Sequence, residues 1–236
     1  SMFPWAQMGG GKKSGLKIHT LLDLNGTIPT FIGVSSAKFP DNKILDQITI
    51  EPGAFYVMDK AYVDFKRLNR IDEHKGNFVT RIKSNIKFER LYSNSVNSNK
   101  GVLLDQIGKL SGSVGKRKYS NKIRKIVFYD SETSKEITFI TNNFTLSAET
   151  IALLYKKRWQ IEIFFKWIKQ NLRIKKFYGT SQNAVEIQIW IAIATYLLVV
   201  IAKKKLKLEQ NLQQILQFLS ISLFENMPLD QALTGE

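Results

Sequence analysis

The chain has 236 residues, enough to bury a substantial core, with 35 Lys or Arg against 20 Asp or Glu for a formal charge of +15. An aromatic share of 11% excludes a disordered basic tail, and the charge predicts a polyanionic partner, nucleic acid before an anionic membrane, because phosphates relieve self-repulsion and release counterions. With no cysteine, and only His19 and His74 as imidazoles, disulfides and zinc sites are excluded and any metal must be held mainly by oxygen.

In chain order, a Gly and Lys leader, GGGKKSG, precedes KIHTLLDL and IPTFIGVSS, two β-rich runs around Asn25-Gly26-Thr27 that predict a hairpin over 17–34. The segment NKILDQI reads as a short helix, and AFYVMD as a short apolar strand ending at Asp59. A helix in AYVDFKRLNRIDEHK and a strand in GNFVTRIK complete an α/β pattern. From 86 to 143 the runs KFERLYS, VLLDQIGKL, KIRKIVFYD and KEITFIT read as strands, a β-rich insertion. Caps at Thr145 to Ser147 open one long helix through Ile174, and Gly179-Thr180-Ser181 separates it from an apolar helix over 184–205. An amphipathic piece, LEQNLQQILQFLSISLF, ends the fold before a loose tail. The expected division is 1–85, the insertion 86–143, a helical part 144–224 and the tail 225–236. No secretory signal pattern is visible, and the longest apolar run, Ile189 to Ala202, is shorter than the roughly 20 residues of a span, so a soluble protein off the membrane is expected.

Chemistry concentrates in YKKRWQIEIFFKWIKQNLRIKK, where eight Lys or Arg surround a single acid, Glu162. On a continuous helix Tyr155, Arg158, Glu162 and Lys169 fall within roughly 60° of circumference. Beside them Ile161, Phe164, Phe165, Ile168 and Leu172 make an apolar stripe. Alone, Glu162 reads as a helix-face partner of Arg158 or Lys166. Asp59 alone reads as a cap of the helix after it, although the carboxyl end of a strand in an open α/β sheet is also the usual place for a site. Arg173, Lys175 and Lys176 beside Phe177 and Tyr178 suit a DNA end or unpaired base, or equally a solvated helix end.

The spacing Tyr-x2-Arg-x3-Glu-x6-Lys at Tyr155, Arg158, Glu162 and Lys169 resembles the YREK signature of insertion-sequence DDE transposases. MDKAY, Met58 to Tyr62, resembles the segment of that family that carries its second catalytic aspartate, with Ala61 where Gly is frequent. The resemblance extends over nearly the whole chain. It implies a ribonuclease H-like mixed sheet flanked by helices, with a β-rich insertion. It also implies a bacterial, cytoplasmic, nucleoid-associated enzyme acting on transposon ends and target DNA as a homodimer. The first acid of that family lies on an opening strand upstream of a segment like FPWAQ, so the chain is expected to lack that strand and one metal ligand; Asp23 matches the following hairpin and is not assigned.

Such chemistry needs Mg²⁺ or Mn²⁺ to stabilise charge on the attacking and leaving oxygens of an in-line displacement, and carboxylates are the ligands these hard ions prefer. Asp59 and Glu162 are the expected metal ligands and catalytic acids. Tyr155, Arg158, Lys169, Arg173, Lys175 and Lys176 are the expected DNA contacts, Arg through its planar fork and Lys as a point charge. The alternative is a transposase-derived module that binds DNA without cutting it.

Overall fold

A computed structural model describes residues 15–82, 86–172, 174 and 176–222. The leader, the tail, Arg173 and Lys175 lie outside the described residues. The chain divides into two compact units, a sheet unit of Phe39–Trp159 and a helical unit of Ser1–Lys38 with Gln160–Glu236.

In the sheet unit six strands run β3-β4-β8-β7-β6-β5. Strand β3 (Phe55–Met58) and β4 (Asn77–Arg81) are parallel and joined by α1 (Phe65–Glu73), as a parallel pair requires a crossover. Asp64 caps α1 by accepting from the Lys66 and Arg67 amides. Antiparallel pairing then adds β8 (Lys135–Thr141), β7 (Ile123–Asp130), β6 (Val102–Leu110) and β5 (Phe88–Ser93). All four runs expected between 86 and 143 are strands, and they continue the sheet begun by β3 and β4. The short helix α2 (Ser113–Lys118) sits between β6 and β7.

Helix α3 (Ala148–Lys156), capped by Ser147, lays Ile151, Ala152 and Tyr155 against Val79, Ile126 and Phe139 of the sheet. The loop before it is pinned by Arg124. That side chain pairs bidentately with Asp105 at 2.8 and 2.7 Å and donates to the Leu146 carbonyl at 2.6 Å. Asp72 of α1 accepts from the Tyr119 hydroxyl and the side-chain amides of Asn121 and Asn142.

The helical unit opens with the expected hairpin, β1 (Leu16–Asp23) against β2 (Ile28–Ser36). Its left-handed residue is Thr27 at φ 54°, not Gly26. Helices α4 (Gln160–Asn171), α5 (Gln182–Lys205) and α6 (Leu212–Ser222) follow. Phe164 and Ile168 of α4 join Leu22 of β1 and Val185, Ile189 and Tyr196 of α5 in one apolar cluster. The Tyr196 hydroxyl donates to the Thr27 carbonyl at 2.8 Å, fastening the hairpin turn to α5.

Two expectations change. The single helix from Ser147 to Ile174 is broken by a 3-10 turn at Lys157–Trp159, so Tyr155, Arg158 and Glu162 occupy α3, the turn and α4 in succession. Each 3-10 residue advances by about 120° instead of 100°, and three of them shift the phase by about 60°, as wide as the arc that was to gather the four residues. The second change concerns α5. Counting the uninterrupted apolar run understated it, because the helix is 24 residues long and apolar enough to cross a membrane by length and composition. Seven of its residues are buried in the helical unit, while Ile187, Ile191, Leu198 and Ile201 are exposed.

Candidate active site

The carboxyl end of the parallel pair builds the site in the sheet unit. Met58 is paired with Thr80, so Asp59 and Arg81 are the next residues along adjacent strands. Asp59 Oδ1 accepts from the Lys60 amide at 2.5 Å and caps the 3-10 turn Lys60–Tyr62, as its capping reading expects. That bond uses one oxygen and fixes the carboxylate, and the side chain remains 41% exposed.

Arg158 approaches from the turn that follows α3. Its Nη1 lies 3.8 Å from Asp59 Oδ2, and its guanidinium carbon lies 5.8 Å from the centre of the Tyr155 ring. Tyr155 is 7% exposed, with its ring packed 4.8 Å from that of Phe139. Its hydroxyl is enclosed without a well-aligned hydrogen bond. Burial first, then the Asp59 charge, pushes this phenol above its ordinary pKa, while Arg158 and Arg81 oppose the rise. The neighbouring Lys156 ties α3 to the β7–β8 turn through Asp130 at 2.8 Å and Glu132 at 3.3 Å. Hydrogen bonds from Lys156 and Thr133 hold the Asp130 carboxyl below the usual range.

Asp59, Tyr155 and Arg158 are therefore brought together within one unit, from a strand end, a helix and a turn. Arg81 is the residue the sequence reading missed. Its only available signal was its place at the end of GNFVTRIK, the strand parallel to AFYVMD.

The remaining candidates stand in the helical unit. Glu162 is exposed in the first turn of α4 and Lys169 is exposed in its last turn, each on the side the helix dipole favours. Lys176 is exposed, and its carbonyl accepts from Gln188 of α5 at 2.9 Å. Tyr178 beside it is 85% exposed. Trp159, the last residue of the sheet unit, is exposed, whereas Trp167 of the helical unit packs edge-on against Tyr196 at 5.2 Å.

The donor chemistry at Asp59 suits a hard divalent cation, being an anchored carboxylate open to water. Among the described residues no group of three or more His, Asp or Glu is placed to hold a metal. A cation here would lean on few protein oxygens and on water.

Residues 2–198 match the model of the transposase DDE domain. The chain belongs to the DDE transposases. It is 32% identical over 224 residues to a proposed transposase, y4zB, of Sinorhizobium fredii, a match that covers 94% of this chain and 62% of that protein. It is 30% identical over 229 residues to a proposed transposase of insertion sequence element IS5377 of Geobacillus stearothermophilus, covering 96% of this chain and 60% of that protein. A third relative, named for element IS4SA of Synechocystis, is 31% identical over 187 residues, covering 78% of this chain and 52% of that protein. This transposase domain thus spans about three-fifths of the length of the first two relatives. The mixed six-stranded sheet flanked by helices is consistent with the ribonuclease H-like fold implied by the motifs.

Proposed function

We propose that this chain is the catalytic part of a transposase of the YREK group, which cuts and joins phosphodiesters at transposon ends and target DNA. The observation that carries the reading is the convergence of Asp59, Arg158 and Tyr155 at the carboxyl end of β3, two of them members of the Tyr-Arg-Glu-Lys spacing. Asp59 and Glu162 are the proposed metal ligands. Mg²⁺ or Mn²⁺ bound there supplies positive charge for the attacking and leaving oxygens.

The chain's own residues do the positioning. Arg158 and Arg81 offer planar forks to backbone phosphates, and Lys169 and Lys176, with Arg173 and Lys175, offer further cations along the strand. Tyr155 acts from within the core by holding the base of Arg158 rather than by an exposed contact. A water or 3′-hydroxyl attacks phosphorus in line, the bond to the leaving 3′-oxygen breaks, and the attacker's proton passes to solvent as the leaving oxygen is reprotonated. Duplex DNA is the substrate, bound by a homodimer, in the bacterial cytoplasm.

A version extended to the length of its relatives, assayed for Mg²⁺-dependent strand transfer with wild-type, Asp59→Ala and Glu162→Ala proteins, tests the assignment. Both substitutions should abolish joining while DNA binding survives. Retained joining in either variant removes that acid from the ligand set. The scarcity of clustered acids among the described residues favours a second reading, a domain that binds DNA without cutting it, and an extended wild-type protein that binds but never cleaves would establish it.

A further inference from the structure

Helix α5 carries two apolar faces, and one of them packs into the helical unit. At about 100° per residue its seven buried residues, from Val185 to Val200, gather on one side. Ile187, Ile191, Ala194, Leu198 and Ile201 fall within roughly 80° on the opposite side, at the alternating spacing of four and three that lets one helix seat against another. All five are exposed, with Ile191 at 61% and Leu198 at 67%. No Lys, Arg, Asp or Glu occurs from Ile187 through Ala202, so in a chain of charge +15 this is a face where a second copy can approach without meeting like charge. We propose that α5 pairs with α5 of a second copy, antiparallel, about a two-fold axis at Ala194. This pairing gives the homodimer of the proposed function a surface; it rests on that reading for the homodimer alone and needs nothing from its metal or DNA chemistry.

Shape and charge select this occupant and this direction. The N-terminal half of the face borders an open hollow of about 610 Å³, walled by Leu172, Tyr178, Ile187 and Ile191, whereas the C-terminal half presents Leu198 and Ile201 to solvent. A two-fold axis at Ala194 sets those two side chains of each copy over the hollow of the other, the self-complementarity that an isologous interface requires. Ile187 then faces the partner's Ile201, and the small Ala194 side chains let the helices approach closely at the axis. At the rim Glu186 comes within roughly 3 Å, measured along the helix, of the level of the partner's Lys204, on the same side of the pair. Lys204 is exposed and pairs with no carboxylate among the described residues, its ammonium lying beside Gly26. A parallel pair would instead set Glu186 against its own copy and the run Lys203, Lys204 and Lys205 against itself, at a cost in repulsion. With Trp190, 48% exposed on the flank, the face offers roughly 600 Å² per copy, so a pair would bury roughly 1,200 Å², the lower edge of a specific interface.

Sedimentation velocity of this chain without DNA or metal should give a dimer. Leu198→Glu, which sets a charge against the partner's apolar face at a position exposed in the single copy, should weaken the pair about 100-fold while circular dichroism stays unchanged. Direction is read by cross-linking, because the chain has no cysteine of its own. Ala194→Cys should form an interchain disulfide under copper phenanthroline, whereas Ile187→Cys should do so only when mixed with Ile201→Cys. Glu186→Lys should weaken the dimer about two- to fivefold, and adding Lys204→Glu should restore it. A monomeric wild-type chain overturns the proposal, as does Ile187→Cys that cross-links to itself as fast as Ala194→Cys, the mark of a parallel pair. Monomer that floats with phosphatidylcholine vesicles, and no longer does so as Leu198→Glu, assigns the face to lipid and overturns it too. So does a version extended to the length of the relatives in which Ala194→Cys no longer cross-links, because the rest of the longer protein then covers α5. Strand transfer, and its loss in Asp59→Ala, is a separate readout from all of these, so failure of the dimer and failure of the catalytic reading are told apart.

Discussion

Replacing Asp105 by alanine should be the most damaging single change in the sheet unit, and its cost follows from what it leaves behind. Arg124 and Asp105 side chains are 5% and 6% exposed, and both carboxylate oxygens are engaged by the guanidinium. Removing the carboxylate strands a buried cation that keeps the carbonyls of Leu146 at 2.6 Å and Asn143 at 3.4 Å as acceptors. Breaking one partner of such a pair costs about 3–5 kcal/mol, whereas replacing both by apolar residues is often close to neutral. Here the double variant Asp105→Leu/Arg124→Met also strips the Leu146 carbonyl of its donor, at about 1–3 kcal/mol. The expected stability order is therefore wild type, double variant, then Asp105→Ala. With a urea slope of about 2 kcal/mol/M, the single variant should lower the unfolding midpoint by about 2 M, read by far-ultraviolet circular dichroism. Since Arg124 pins the loop that leads into the Ser147 cap, hydrogen exchange should also accelerate in α3, which carries Tyr155. A midpoint shift under about 0.5 M, or a double variant no more stable than the single one, would refute the assignment of that cost to a stranded guanidinium.

Further expectations concern the core, the titrating groups and the partner. Phe164→Ala, which empties a site 1% exposed between Phe165 and Tyr196, should cost the helical unit about 3–5 kcal/mol in calorimetric or urea unfolding. Burial pushes the Tyr196 hydroxyl up to about 12 from 10.0, so the fold favours the neutral phenol. Its contribution is complete below the unfolded value and is lost as pH rises from 10.0 toward about 12, and a Tyr196→Phe protein should show less alkaline destabilisation than wild type. Asp130 has the opposite sign. Its lowered pKa gives stability that is present above 3.8 and is lost as pH falls, so Lys156→Met should flatten the acid limb of a stability profile. Duplex affinity should fall steeply with salt, and Arg158→Gln should reduce the slope of log affinity against log salt by about 1, whereas unchanged slope would place Arg158 away from phosphate.

The elements most legible in the sequence were those whose signal is local. Strand-like apolar runs between turn residues mark the strands of the sheet, and Ser147 and Ser181 cap α3 and α5 as their side-chain chemistry requires. The end of β3 at Met58, with Asp59 next to it, is visible in the six letters AFYVMD. The misread features depend on information that the chain does not carry locally. Nothing in KKRWQ, with neither proline nor glycine, announces the 3-10 turn that separates Tyr155 from Glu162, and an unbroken period of 3.6 was therefore assumed. Arg81 went unnoticed for a related reason: it joins the site only through the parallel register of β3 and β4, which pairs Met58 with Thr80 across 22 positions of sequence. The break and the register act on the same few side chains. By ending α3 after Lys156, the turn carries Arg158 to within 3.8 Å of Asp59. The motif spacing thus groups four residues in sequence, while the turn and the strand register decide that Tyr155 and Arg158 meet Asp59 in the sheet unit.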